Sequence, residues 1–156
     1  MERPRTDDQG LHHSWYHTIE LAPGVVTPGR VDWRRYVSRV LPADMSGLRA
    51  LDVGTFDGFW AFEMERRGAD VVAIDVDSVG AVELPPPQRA RLEDDAAASG
   101  FELGRGFRLA SEALGSSVER VACDVYDLEP ALIGGQVDVA FVGALLEHLR
   151  DPVRAL

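Results

Sequence analysis

The run from Leu48 to Asp77 constrains the fold of this chain more than any other stretch. An apolar segment, Leu48 to Val53, breaks into a turn bounded by Gly54 and Gly58. A helix-like stretch follows, Phe59 to Arg67, and stops at Gly68. A second apolar run, Val71 to Ile74, ends in Asp75, followed by Val76 and Asp77. Strand, glycine turn, helix, strand and acid, in that order, specify a βαβ unit. In such a unit the turn backbone passes close to a ligand, and the acid at the second strand end can hold a ribose.

The alternation continues. Val118 to Cys123 reads as a third strand ending at Asp124, and the almost wholly apolar Val137 to Val142 as a fourth ending at Gly143. Strands alternating with helices predict an α/β fold with a parallel sheet buried on both faces. Right-handed crossovers and one reversal of strand order place the four strands as 3-2-1-4. The most apolar strand then lies at an edge, where self-association is expected. The chain accordingly reads as a fragment whose continuation adds strands beside Val137–Val142.

Elsewhere the punctuation is plainer. Residues 1–14 read as a polar arm and Trp15 to Pro28 as an ordered loop or short hairpin. Trp33, Tyr36, Val37, Val40 and Leu41 form one helical stripe, with Asp32 as cap and Pro42 as stop. Arg34, Arg35, Ser38 and Arg39 take the opposite face. Leu84-Pro85-Pro86-Pro87 continues neither a helix nor a central strand, so residues 78–104 read as a surface excursion with at most one short helix. Phe107 to Leu114 is a short helix closed by Gly115. Leu145 to Leu149 and Val153 to Leu156 begin helical turns.

Composition removes several functions. The 156 residues carry 26 acids against 16 bases, a net charge of -10, which disfavours coating nucleic acid. Every base is Arg; without Lys there is no Schiff-base lysine and no P-loop. The single Cys123 forms no internal disulfide or cysteine zinc cluster and reads as an inert core residue. His12, His13 and His17 lack a ligand pattern around them, so no metal is expected. No apolar run reaches the ~20 residues of a membrane span, and a cytoplasmic location is expected.

The turn itself discriminates among cofactors. Phe56 stands where the second glycine of G-x-G-x-x-G admits a pyrophosphate, which argues against NAD. Asp52 suits a cation better than a diphosphate. S-adenosylmethionine, a phosphate-free nucleoside with a positive sulfonium, fits both observations. The segment Asp52-Val53-Gly54-Thr55-Phe56-Asp57-Gly58 resembles motif I of class I S-adenosylmethionine-dependent methyltransferases. With Trp15-Tyr16-His17-Thr18-Ile19-Glu20-Leu21, it is similar to the bacterial branch related to the tRNA wobble-uridine carboxymethyltransferases.

The resemblance implies a Rossmann-like class I methyltransferase fold lacking its C-terminal strands. Residues 1–46 would form an arm and lid region, and 47–156 an incomplete S-adenosylmethionine-binding domain. It also implies contacts, residue by residue. Gly54, Thr55, Phe56 and Gly58 would shape the turn around the methionine part, and Asp52 would orient that turn and favour the ammonium. Asp75 would accept from the ribose hydroxyls and Val76 would pack on the adenine. Asp124 would accept from the adenine amino group, with Val125 beside the ring. Gly143 and Ala144 would face the sulfonium methyl. Methyl transfer needs alignment more than a dedicated residue; where the acceptor must lose a proton, the candidate bases are Tyr16, His17 and His148. The expected activity is methylation of a small molecule, with tRNA as the second choice. The alternatives are a non-catalytic cofactor-binding module and a NAD-dependent oxidoreductase.

Overall fold

The computed structural model describes residues 14–156, and the polar arm at 1–13 lies outside them. Four strands, β3 (Arg49–Val53), β4 (Asp70–Asp75), β5 (Glu119–Ala122) and β6 (Val139–Val142), form one parallel sheet. Its order is β5-β4-β3-β6, the 3-2-1-4 arrangement expected from the crossover rule. Strand order reverses between β3 and β6, and that reversal opens a crevice at the carboxyl ends of the strands. Register completes it: Val53 lies beside both Ile74 and Val142, so Gly54, Asp75 and Gly143 leave the sheet at adjacent points.

Side chains of β3 and β4 alternate between two cores. Ala50, Val71 and Ala73 face helix α2 (Phe59–Arg66), which is buried from Phe59 through Met64. Leu51, Val53, Val72 and Ile74 face the other way, against Ile133, Leu128 and Leu145. Among the described residues this second face is covered by short 3-10 turns, Val125–Asp127 and Pro130–Ile133, rather than by a helix. Cys123 is half-buried in this layer, and burial pushes its thiol pKa up.

The N-terminal segment belongs to the first core. The hairpin β1 (Glu20–Ala22) and β2 (Val25–Val26) pairs antiparallel, and Trp15, Ile19 and Leu21 pack in the same cluster as Phe59, Trp60 and Phe62.

Two expectations need correction. The helix expected over Val31–Leu41 is a single turn, α1 (Val37–Val40). Upstream, Val31 is extended: its N–H donates to the Tyr16 carbonyl and its own carbonyl accepts from Thr18 N–H. Asp32 folds onto Arg34 instead of capping a helix. The stripe therefore splits: Val37 and Leu41 are buried, while Trp33, Tyr36 and Val40 are 40%, 44% and 50% exposed. The second correction lies in the excursion, which contains the 14-residue α3 (Pro86–Ser99). Pro86 and Pro87 occupy its first turn, where no N–H is needed and a fixed φ favours initiation. The proline run that ends the preceding segment is also what starts this helix. Helix α4 (Arg105–Leu114) follows and closes at Gly115 as expected. No helix among the described residues is long and apolar enough to cross a membrane.

Candidate functional site

The turn after β3 is held by backbone groups from both sides. The N–H groups of Gly54 and Thr55 donate to the Ile74 carbonyl at 2.9 and 3.1 Å, and Gly58 N–H donates to Thr55 at 2.8 Å. Phe56 N–H donates to Asp75 Oδ2 at 2.7 Å, and Val76 N–H to Asp75 Oδ1 at 2.8 Å. One carboxylate thus clamps the glycine turn to the end of β4. Each oxygen uses one acceptor site on the backbone and keeps another for a ligand hydroxyl. Burial raises the Asp75 pKa, opposed by the Phe56 N–H, the Arg120 guanidinium and the Val76 N–H. Arg120 is tied down by donating to the Val76 carbonyl at 2.8 Å.

The turn reverses through left-handed backbone at Gly54 (φ 74°), Phe56 (φ 51°) and Gly58 (φ 88°). At Gly58 a Cβ would lie 2.4 Å from the Phe62 ring and 2.7 Å from Phe107. The packing of α2 against α4 therefore demands glycine there, independently of any ligand. Phe56 and Ala144, both in positions the resemblance assigns to the cofactor, are the non-glycine residues with positive φ among those described. Such backbone costs of order 1 kcal/mol or more and persists where surroundings impose it. Ala144→Gly is accordingly expected to raise stability by about 1 kcal/mol in urea unfolding; an unchanged midpoint would mean that φ 55° is not strained there.

Asp52 precedes the turn and Asp57 lies within it, and both are 2% exposed. Asp52 Oδ2 accepts from Ala61 N–H at 3.1 Å. Desolvation pushes its pKa up to about 7, against the Thr55 side chain, the Ala61 N–H and His17. Asp57 Oδ2 accepts from the Tyr16 and His17 N–H groups at 3.2 and 2.7 Å, and its Oδ1 lies 2.6 Å from His17 Nδ1. The His17 ring stacks on Phe59 at 5.2 Å and 19°. This one carboxylate fastens the N-terminal segment to the glycine turn.

Tyr16 is exposed and edge-on to Phe56 at 5.9 Å, whereas His17 is 7% exposed with Nδ1 occupied by Asp57. His148 ends the 3-10 turn Leu146–His148, exposed and 3.6 Å from Glu147. Asp124 Oδ1 accepts from Tyr126 N–H at 3.0 Å, capping the turn Val125–Asp127, and Val125 packs beneath it. Gly143 and Ala144 follow β6 beside the glycine turn, and Leu145 lies over Gly54.

Sequence reasoning missed the roles of Asp57, Glu83, Arg120 and Tyr126. Glu83 Oε2 accepts from Tyr126 Oη at 2.9 Å and from Arg150 N–H at 2.6 Å, and Tyr126 Oη accepts from Asp151 N–H at 2.9 Å. These bonds join three loops at the carboxyl edge of the sheet. No local pattern marks such partners, since 43 and 67 residues separate Glu83 from Tyr126 and Arg150.

No family model matches the chain. It is 34% identical over 103 residues, 64% of its length, to magnesium-protoporphyrin O-methyltransferase of Rhodobacter capsulatus, and spans 42% of that protein. It is 42% identical over 65 residues, 39% of its length, to ribosomal RNA small subunit methyltransferase C of Chromohalobacter salexigens, and spans 20% of it. Among solved structures, an arsenic(III) S-adenosylmethionine methyltransferase from Chlamydomonas reinhardtii gives a TM-score of 0.42 at 21% identity, covering 74% of this chain and 35% of that one. The [4+2]-cyclase SpnF gives 0.45 at 21% identity, covering 92% and 44%. The chain thus spans less than half the length of either curated relative, and over the matched residues it is a homologue of methyltransferases.

Proposed function

We propose that this chain binds S-adenosylmethionine across the glycine turn and belongs to a methyltransferase acting on a small molecule. The observation that carries this reading is the clamp of Phe56 N–H on Asp75. It puts a half-satisfied carboxylate beside a turn whose acids repel a diphosphate. Asp75 accepts the ribose hydroxyls through its free lone pairs, with Val76 and Val125 packing on the base and the second oxygen of Asp124 taking its amino group. The N-terminus of α2 favours the methionine carboxylate. The buried charge of Asp52 favours the cationic end, and Gly143 and Ala144 leave room beside the reacting carbon.

When bound, the cofactor supplies a methyl group already activated for in-line displacement. The chain's task is to align the acceptor and exclude water, and alignment supplies roughly 7–11 kcal/mol. Where the acceptor carries a proton, His17 is the candidate base whose ring a carboxylate holds. Asp57 holds its Nδ1, which leaves Nε2 to take the proton, as in other carboxylate-oriented histidines. A cytoplasmic location belongs to the same reading.

Calorimetry tests it. S-adenosylmethionine and S-adenosylhomocysteine are expected to bind, and NAD is not. Asp75→Asn keeps an oxygen for Phe56 N–H but loses charge-assisted bonds, so affinity is expected to fall by about 2–3 kcal/mol, on the order of 100-fold. NAD binding, or an Asp75→Asn variant with unchanged affinity, would remove the basis of the reading. A tRNA acceptor is the second reading, favoured by the ribosomal RNA methyltransferase relative and by the exposed Arg34, Arg35 and Arg39 beside Trp33 and Tyr36. A steep loss of acceptor affinity with salt marks that case.

A further inference from the structure

Phe56 has two sides. Its N–H serves the clamp on Asp75, and its ring forms part of the wall of a cleft of about 640 Å3 between the N-terminal segment and α3. In that cleft the Phe56 ring stacks on Phe101 at 6.4 Å and 24°, and Tyr16 meets it edge-on at 5.9 Å. Arg30 and Arg105 also line the cleft, and neither side chain makes an ion pair or hydrogen bond among the described residues. Among the described residues lining the cleft, Asp95 is the one acid. Several other arginines of this acidic chain are engaged, Arg34, Arg66, Arg67, Arg108 and Arg120 reaching carboxylates or carbonyls, whereas Arg35, Arg89 and Arg91 are as unengaged as the two in the cleft among the described residues. Two unengaged guanidiniums beside three aromatic rings form a surface matched to a flat anion, because guanidinium binds carboxylate through two parallel donors and aromatic faces take the ring. The volume suits a small organic ligand, and the shared residue Phe56 places it next to the proposed cofactor site.

Resting on the function proposed above, we propose that this cleft is the acceptor-recognition subsite, holding the part of the acceptor remote from the reacting carbon at Gly143 and Ala144, and that it selects planar aromatic carboxylates. The ring lies among Phe56, Phe101 and Tyr16, and the carboxylate lies on Arg30 and Arg105. The same aromatic surface takes a neutral analogue, but without the charge-assisted bonds.

The test compares 1-naphthoate with neutral 1-naphthamide on the full chain, by calorimetry, with and without saturating S-adenosylhomocysteine. Naphthoate is expected to bind at least about ten-fold more tightly than the amide, as charge-assisted hydrogen bonds predict. Combining Arg30→Gln with Arg105→Gln is expected to erase that preference. Asp95→Asn, which removes a like charge from the cleft, is expected to tighten naphthoate several-fold. S-adenosylhomocysteine affinity and the melting temperature report whether each variant is folded. Equal affinity for acid and amide, or a preference that survives the double substitution while S-adenosylhomocysteine still binds, overturns the cleft assignment alone. Failure of S-adenosylhomocysteine to bind the unaltered chain overturns the methyltransferase reading and the acceptor assignment with it.

Discussion

Asp57→Ala is expected to lower the free energy of unfolding by about 3–5 kcal/mol, the cost of removing one partner from a buried charged network. Three donors lose their acceptor at once: Tyr16 N–H, His17 N–H and the His17 ring nitrogen. The two from His17 are buried, where an unpaired donor costs about 1–3 kcal/mol. A domain of this size has roughly 5–15 kcal/mol in total, so the loss is a large share of it. The damage is also expected to be local. With its latch gone, the segment carrying Trp15, Ile19 and Leu21 loosens from the Phe59–Trp60 cluster before the sheet melts. Denaturant unfolding measures the first effect, and protease cleavage between residues 14 and 31 the second. Asp57→Asn, which keeps one acceptor oxygen, is expected to lie between wild type and Asp57→Ala. A shift below about 0.5 kcal/mol for Asp57→Ala, typical of a surface substitution, would show that the latch is not needed.

The second large effect is on pH. Burial raises the Asp52 pKa from 3.8 to about 7, so between those values the folded chain binds a proton that the unfolded chain releases. Stability then falls as pH rises, because the unfolded state binds fewer protons. The contribution is fully present below the unfolded value, declines through the interval and is gone above about 7. At about 1.4 kcal/mol per pH unit the whole interval is worth about 4 kcal/mol. Asp52→Asn retains an oxygen for Ala61 N–H and has no charge to bury. Its stability is therefore expected to be flatter than that of wild type between pH 4 and 7, and higher by a few kcal/mol at pH 8. On the proposed function, cofactor affinity runs the other way. The cofactor's cationic ammonium favours ionised Asp52, so affinity in the wild type rises up to about pH 7, while Asp52→Asn binds more weakly and without that dependence. Parallel stability profiles for the two proteins would mean that Asp52 is ionised throughout and that its burial is compensated.

The parts of the fold readable in advance are those with local signatures. Apolar runs ending at Val53 and Asp75, the glycines at 54 and 58 and the helix from Phe59 follow from short-range propensity, and the sheet order follows from handedness. The two misreadings have equally physical causes. Proline breaks a helix in its interior, but at the first two positions of α3 it initiates one. The stripe from Trp33 to Leu41 carries a helical period, but pairing of Val31 with Tyr16 and Thr18 holds its beginning extended.

Within the site the division is similar. Asp75 was identifiable because a strand end and a glycine turn adjoin it in sequence. Asp57 stood in the quoted motif without a role, because its partners lie about 40 residues earlier. The amino-acid sequence by itself determined the βαβ unit, the order of the four strands and the turn with its acid, all products of local geometry and chain handedness. Only the tertiary structure decided which acids are buried, which histidine is latched and which arginines are left unengaged around the Phe56 ring. Burial and pairing depend on segments that meet in space across tens of residues, and no spacing along the chain encodes that meeting.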